Sequence, residues 1–473
     1  MDSAGQTSTA AQPPPESPNS KKRAFVDSPT EEEPVNKKIK ESPAISPEHT
    51  AEVPARVFPS PLDYPATELD KETWQGFCDI ESEPAYFSVI LREMGVRDVA
   101  VREVFSMSPE YLAELPQPIY GLILLFRYRE FGNEDQANEC PSNVWFANQL
   151  PAQNSCGTLA MLNILMNNPD ITVGEQLQQF RDFTSSMKPF HRGEALASFD
   201  FVKKIHNSFA KKMDLLENDK YLSYKVKRAQ RQKELDAESK SKGKSTSKSR
   251  SRRLSADSAA TDDSMESFEE NGHHFIAFVP VGNEVYKLDG MDKQPTSVGS
   301  FAPEAGQTWL DGASDTIAAL MAAGDDDYGV VALIQSPLAP LRRKACLTIN
   351  TLARVESRLD SLDSSWRASV TDDQKSTSPR LLGIEALLPG HPVSASLADT
   401  IDSEVLPELL SRRGSLVVLF SQVASQMMEN MAEEAAENEK ARQRRLDEGP
   451  MVKKWLEMLA ANQYLEANLK RFP

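Results

Sequence analysis

The pattern of apolar and polar positions divides the chain at about residue 73. Before that point Pro, Ser, Lys and Glu dominate, a composition that cannot bury enough apolar surface to fold. We therefore expect residues 1–72 to form a disordered tail. After it, Phe87, Ile90 and Leu91 recur at helical spacing, which predicts a helix.

A buried strand and several helices are predicted next. The run "YGLILLFRYRE" is continuously apolar, has the length of a strand and ends in charged residues, as is typical of a buried strand. An apolar helical stretch then starts at Cys156 and ends near Asn167, because Pro169 prevents its continuation. Further helical patterns cover residues 172–187 and 198–216.

A hairpin is indicated in "HHFIAFVPVGNEVYKLDG", residues 273–290, where two apolar segments flank the turn residues Gly282 and Asn283. A later apolar run, residues 328–335, is typical of a last buried strand. Helices interleaved with strands across residues 73–337 predict one α/β (α+β) domain.

Other regions have different patterns. Residues 218–270 run from basic and Ser-rich to acidic without an apolar stripe, which predicts a disordered insertion or a partly helical arm. Beyond the domain we expect a helix over 338–370, a polar linker over 371–400 and a helical C-terminal extension over 401–473. These helices carry apolar residues on one side, which must pack against each other, the domain or a partner.

Composition excludes several classes of function. The formal net charge of −17 argues against a general nucleic-acid binder, since phosphate recognition needs a basic surface. The cysteines Cys78, Cys140, Cys156 and Cys346 lack C-x-x-C spacing, so we expect neither a disulfide framework nor a zinc site, and a reducing intracellular compartment fits best. No apolar run approaches the roughly 20 residues that span a bilayer. We expect no cofactor, no metal ion and no membrane.

Two basic clusters lie in the N-terminal tail. "KKR", residues 21–23, and "KKIK", residues 37–40, are separated by a polar acidic spacer. A nuclear import receptor can read this bipartite arrangement, although an ordinary charged tail can have the same pattern.

Cys156 stands where a polar, turn-prone run meets an apolar helix. A nucleophilic cysteine needs its pKa lowered from about 8.5, and a helix N-terminus with a nearby imidazolium supplies both effects. Asn154 and Ser155 are residue types that cap helices, which favours a helix start at Cys156. Free cysteine is also among the most buried residue types, so a structural role stays open.

A histidine is the expected base, and the hairpin indicates which one. His273 and His274 open the first strand of the hairpin. If the turn has two residues, Ile276 lies opposite Asp289. Because side chains alternate between the faces of a strand, His274 then shares a face with Asp289 and His273 points away. A one-residue slip would reverse this choice.

Acyl transfer also requires donors to the developing oxyanion. The backbone N–H of Cys156 is one candidate, and a side-chain amide just upstream is another. Gln149 and Gln153 both qualify chemically, and spacing alone does not choose between them.

Together these elements resemble the ubiquitin carboxyl-terminal hydrolase family of cysteine proteases. The matching pieces follow the family's order over about residues 73–336: "GFCDIESEPAYFSVILREMGV", "YGLILLFRY", "WFANQLPAQNSCGTLAMLNILMN", "KKIHNSFA", "HHFIAFVPVGNEVYKLDG" and "YGVVALIQ". The resemblance implies that Cys156 is the nucleophile, His274 the general base and acid, and Asp289 the residue that orients the imidazole. Through "FANQ" it implies Gln149 as the oxyanion stabiliser. The interval from Gln149 to Cys156 is one residue longer than usual, which leaves Gln153 as a substitute.

The resemblance implies a knotted, papain-like fold and cleavage after the C-terminal glycine of ubiquitin. Residues 218–270 fall where this family carries its active-site crossover loop. A long loop should admit larger leaving groups, so conjugates as well as small adducts are expected substrates. A catalytically weak ubiquitin-binding scaffold of the same fold is the alternative.

The C-terminal extension resembles that of the longer family members. In those proteins it binds adaptors that carry a deubiquitinase-regulating domain, at the proteasome or on chromatin. The resemblance therefore implies such an adaptor as a partner beside ubiquitin, and a location in the nucleus and cytoplasm.

Overall fold

The structure is a computed structural model that describes residues 60–127, 139–152, 154–217, 227, 273–323, 328–369, 378–468 and 471. Most of the expected tail, including both basic clusters, lies outside the described residues. The same is true of Gln153 and of the expected insertion over 218–270, apart from Lys227.

Six strands among the described residues form one antiparallel sheet. The strands are β1 (Val99–Glu103), β2 (Ile119–Arg127), β3 (His273–Val281), β4 (Glu284–Asp289), β5 (Thr296–Ser300) and β6 (Tyr328–Gln335). Their order across the sheet is β1-β6-β2-β3-β4-β5. The predicted strands at 328–335 and in the hairpin are confirmed, as is the one predicted at 120–130 up to Arg127, since residues 128–130 lie outside the described ranges.

Helices surround this sheet and continue beyond it. They are α1 (Glu68–Thr73), α2 (Pro84–Glu93), α3 (Pro109–Glu114), α4 (Cys156–Asn167), α5 (Glu175–Thr184), α6 (Pro189–Ala197), α7 (Asp200–Asn207), α8 (Trp309–Ala323), α9 (Leu338–Leu362), α10 (Ala395–Ser403), α11 (Leu406–Arg444), α12 (Gly449–Ala461) and α13 (Tyr464–Asn468). Residues 212–217 form a further short helix.

The sheet has an apolar core on each face. Ile123 of β2 packs into the core that contains α2 and α4, whereas its neighbours Leu122 and Leu124 pack into the core that contains α3 and α8. Both faces of β2 are therefore buried, which explains why its sequence is a continuous apolar run. The predicted α+β domain is confirmed as a layer of helices on each side of an antiparallel sheet.

The hairpin of β3 and β4 has the predicted register. Gly282 adopts a φ of +63°, a conformation that glycine tolerates, and the two-residue turn pairs Val281 with Glu284. Counting back along the ladder, Ile276 lies opposite Asp289, as predicted. This register determines which histidine can reach Asp289.

Two of the C-terminal helices, α9 and α11, bury their apolar faces against each other. Helix α9 packs along α11 through a core that includes Cys346, Val423 and Met427. The second half of α11 lies on the domain through ion pairs, among them Arg92 with Glu437 at 2.7 Å. None of the helices in the described part of the chain is long and apolar enough to cross a membrane.

Candidate active site

Cys156 occupies the first position of α4, as the sequence predicts. Ser155 is the N-cap, but its side chain makes no capping hydrogen bond and instead donates to the carbonyl of Ala152 at 2.6 Å. The helix therefore begins without a side-chain acceptor on its first N–H groups, and those groups favour negative charge beside them. Cys156 is partly exposed, whereas the ten residues that follow it in α4, up to Met166, are buried.

The start of α4 lies directly on strand β3. A Cβ on Gly157 would lie 3.5 Å from the ring of Phe275, the residue that follows His274. This is an ordinary van der Waals distance, so the first turn of α4 packs directly against this strand. Cys156 interacts with His274 and contributes to the raised pKa of that imidazole.

His274 and Asp289 form a buried pair. Nε2 of His274 lies 2.7 Å from Oδ1 of Asp289, and each residue is 4% exposed. The same carboxylate oxygen accepts the backbone N–H of Met291 at 2.9 Å, which fixes the carboxylate. His273 is exposed, as the register predicts.

The charges of this pair stabilise each other. Burial alone would lower the pKa of His274, but the hydrogen bonds with Asp289 and Cys156 outweigh it and raise the pKa above its ordinary value of 6.5. Burial would raise the pKa of Asp289, but the hydrogen bond from His274 lowers it below 3.8. The arrangement therefore favours an imidazolium beside an ionised carboxylate.

Gln149 lies on the loop that precedes Cys156 and contacts the loop that follows Asp289. Its N–H donates to the carbonyl of Gly290 at 2.7 Å. A Cβ on Gly290 would lie 2.8 Å from Cβ of Gln149 and from a methyl group of Leu159 on α4. The glutamine is therefore packed between the loop of Asp289 and the helix of Cys156, and it is 9% exposed.

The side-chain amide of Gln149 has one atom without a hydrogen bond in the described part of the chain. Its Oε1 is buried without a hydrogen-bond partner among the described residues. Most buried polar side-chain atoms are paired, so this oxygen is an acceptor that another donor can use.

His206 is a core residue on α7, 1% exposed. Its ring connects the carbonyl of Cys78 with the hydroxyl of Thr158 on α4, at 2.7 and 2.8 Å. A carbonyl can only accept, so Nε2 carries the proton and Nδ1 accepts from Thr158. Burial lowers the pKa of His206 to about 4, although the hydrogen bond to Cys78 opposes the shift.

Two residues that support this site were not indicated by the sequence motifs. Arg192 and Gly193 on α6 contact the main chain of the segment that leads to Gln149. A signal was present, since residues 189, 192, 193 and 196 are the buried positions of α6 and place an arginine on its apolar face. In the described ranges, no cluster of three or more His, Cys, Asp or Glu side chains could hold a metal ion.

Known proteins match this chain over the region that contains Cys156, His274 and Asp289. The family model described as "Ubiquitin carboxyl-terminal hydrolase, family 1" matches residues 77–322. Ubiquitin carboxyl-terminal hydrolase isozyme L5 of Dictyostelium discoideum is 28% identical over 294 residues, which cover 61% of this chain and 71% of the relative. Ubiquitin carboxyl-terminal hydrolase ubh-4 of Caenorhabditis elegans is 30% identical over 273 residues, which cover 56% of this chain and 68% of the relative.

Other matches are more distant. Ubiquitin carboxyl-terminal hydrolase BAP1 of Xenopus tropicalis is 26% identical over 255 residues, which cover 51% of this chain and 30% of the relative. The crystal structure of the Trichinella spiralis UCH37 catalytic domain bound to ubiquitin vinyl methyl ester covers 55% of this chain and 96% of its own, at 24% identity and a TM-score of 0.39. The family model matches just over half of this chain, and ubh-4 of Caenorhabditis elegans is 30% identical to it. The chain therefore belongs to the ubiquitin carboxyl-terminal hydrolase family 1 of cysteine peptidases.

Proposed function

We propose that this protein is a thiol-dependent deubiquitinase that hydrolyses the bond after the C-terminal glycine of ubiquitin, in small adducts or in conjugates. The observation that supports it best is the buried hydrogen bond between His274 and Asp289, with Cys156 at a helix start and interacting with the same imidazole. In this proposal Cys156 is the nucleophile, His274 the general base and acid, Asp289 the orienting residue and Gln149 the oxyanion stabiliser.

The first step is attack by the Cys156 thiolate on the carbonyl carbon of the glycine. Since Nε2 of His274 is bonded to Asp289, Nδ1 is the nitrogen that takes the thiol proton. The carbonyl oxygen becomes an oxyanion, which accepts hydrogen bonds from the Gln149 amide and from the N–H at the start of α4.

The second step breaks the bond to the leaving group. The tetrahedral intermediate collapses, His274 returns its proton to the departing amine, and a thioester links ubiquitin to Cys156. Water then attacks the thioester after giving a proton to His274. Ubiquitin leaves with a free carboxylate, and the Cys156 thiol is restored.

A ubiquitin probe with a C-terminal electrophile tests this proposal. We expect the full chain to form one covalent adduct, and Cys156→Ala to form none, because the thiolate supplies the bond. Cys140→Ser is the matched control, since Cys140 is also partly exposed, and it should retain the adduct. Absence of a Cys156-dependent adduct, with and without an adaptor, would contradict the proposal that this protein is an enzyme. Binding of ubiquitin without turnover would favour a scaffold.

The C-terminal extension supports an adaptor as a second partner. Helix α12 has no buried residue, and its exposed apolar side chains include Met451, Trp455 and Met458 at 64%, 59% and 57% exposure. Aromatic residues dominate binding energy at interfaces, so Trp455→Glu should weaken binding of an adaptor with a deubiquitinase-regulating domain at least tenfold, measured by calorimetry. Lys454→Ala is the control. Equal losses of adaptor affinity in both variants would contradict the proposal that the apolar side chains of α12 bind the adaptor.

The proposed location is the nucleus and the cytoplasm. It rests on the two basic clusters of the tail, residues 21–23 and 37–40. Imaging of the full chain with the second cluster changed to alanine tests it, and an unchanged nuclear fraction would contradict the signal.

A further inference from the structure

Arg192 is a buried cation on α6, 6% exposed, that binds the end of α5. Its Nε donates to the carbonyl of Thr184 at 3.0 Å, and Nη2 donates to the carbonyl of Ser185 at 2.8 Å. Carbonyls at a helix C-terminus lack intrahelical partners and form the negative end of the helix dipole. One edge of the guanidinium therefore satisfies the C-terminus of α5.

The other edge of this guanidinium binds the main chain that leads to Gln149. Nη1 donates to the carbonyls of Val144 and Phe146 at 3.3 and 3.2 Å, and the guanidinium carbon lies 5.5 Å from the ring centroid of Trp145. A planar fork of donors can hold two chain segments in one relative position, which a lysine ammonium cannot do. Arg192 thus fixes residues 144–146 against the end of α5.

Gly193 fixes the residue immediately before Gln149. A Cβ on Gly193 would lie 2.0 Å from the carbonyl oxygen of Asn148, so the helix and this main chain touch at a distance that requires glycine. The N–H of Asn148 donates to the carbonyl of Pro189 at 3.0 Å, and its side-chain amide donates to the carbonyl of Asp292 at 2.9 Å. Asn148 is therefore held between α6 and the loop after Asp289.

We propose that Arg192 and Gly193 are positioning residues for the oxyanion site. They hold residues 144–148 so that Gln149 meets Gly290 and directs its amide at the developing oxyanion. This inference deepens the proposed function and rests on it. Neither residue is proposed to contact substrate or the reacting atoms.

This role has a kinetic consequence that a purely structural role lacks. The oxyanion exists only during acyl transfer, so misplacing Gln149 lowers kcat without changing ground-state binding of ubiquitin. Alkylation of Cys156 by iodoacetamide displaces iodide and forms no oxyanion. Its rate therefore reports the thiolate and its helix but not Gln149.

The test is a double-mutant cycle between Arg192→Lys and Gln149→Ala in the full chain, on a fluorogenic amide of the ubiquitin C-terminus. Arg192→Lys should lower kcat roughly 10- to 100-fold, the size expected for a misplacement of about 1 Å, with KM unchanged. In a protein that already carries Gln149→Ala, adding Arg192→Lys should change kcat by less than about twofold, because the two residues act through one group. Alkylation of Cys156 should keep its rate.

Two outcomes would overturn the inference. The first is a kcat of the double variant that falls by the product of the two single losses. The second is an alkylation rate of Cys156 that falls in Arg192→Lys as much as kcat does. Either would mean that Arg192 acts on the fold as a whole. Absence of turnover in the unmodified protein would refute the proposed function, and this inference with it.

Gly193→Ala is a second variant, and it leaves the Arg192 guanidinium in place. Alanine forms helices more readily than glycine, so the fold should survive while Asn148 is displaced. We expect kcat to fall at least about tenfold with KM and alkylation unchanged. Gly414→Ala in α11, where a Cβ would meet no atom within 4 Å, is the matched control and should keep wild-type kcat. Unchanged kcat in Gly193→Ala would overturn the inference even if Arg192→Lys does not fold.

Discussion

Asp289→Asn should lower kcat for hydrolysis of a ubiquitin C-terminal amide by roughly 10³- to 10⁴-fold, the loss seen when the carboxylate of a catalytic triad becomes an amide. The asparagine has nearly the same shape, so His274 keeps a neighbour at about the present 2.7 Å. What is lost is the negative charge that stabilises the imidazolium during attack and proton return. Steady-state assays with a fluorogenic ubiquitin amide measure the effect.

The same substitution should also change the pH profile. Asp289 is the main group that raises the pKa of His274 against the opposing effect of burial. Without the charge, burial lowers that pKa, and the imidazolium loses its proton at lower pH. The alkaline limb of the kcat/KM profile should therefore move to lower pH, measured between pH 5 and pH 10.

Asp292→Asn is the control for Asp289→Asn. Asp292 is a neighbouring buried carboxylate whose ion pair is with Lys287, at 3.1 Å. Its loss should cost no more than about tenfold in kcat, since Asp289 is the carboxylate that lies 2.7 Å from the imidazole. Equal losses in the two variants would contradict the orienting role of Asp289.

The pairing of His274 with Asp289 could be predicted because it depends on local sequence. A two-residue turn at Gly282 and Asn283 fixes the register of the hairpin, and the register determines the face of every side chain along it. The helix that begins at Cys156 has the same local character, since an apolar run and a following proline define it. The central strands were predictable because burial on both faces leaves a continuous apolar run.

The support of the site could not be predicted in this way. Arg192 binds a carbonyl 48 residues earlier in the chain, and no periodicity relates segments so far apart. The edge strands β1 and β5 have only five residues each, and most of β5 is exposed, so neither has an apolar pattern that separates it from a loop. Long-range packing determines these elements, and the sequence retains only indirect signs of it, such as an arginine on the apolar face of α6.

Gln149→Ala should lower kcat roughly 10²- to 10³-fold, the cost of removing one oxyanion donor, while KM and the alkylation rate of Cys156 stay the same. The reason is that, in the proposed mechanism, the amide binds the oxygen only after it has become an anion. Gln153→Ala is the matched control, because both glutamines shortly precede Cys156 in the sequence and the spacing leaves both open. We expect it to change kcat by less than about twofold. A larger loss in Gln153→Ala than in Gln149→Ala would assign the oxyanion to Gln153, and the extra residue before Cys156 would then have moved the donor along the loop.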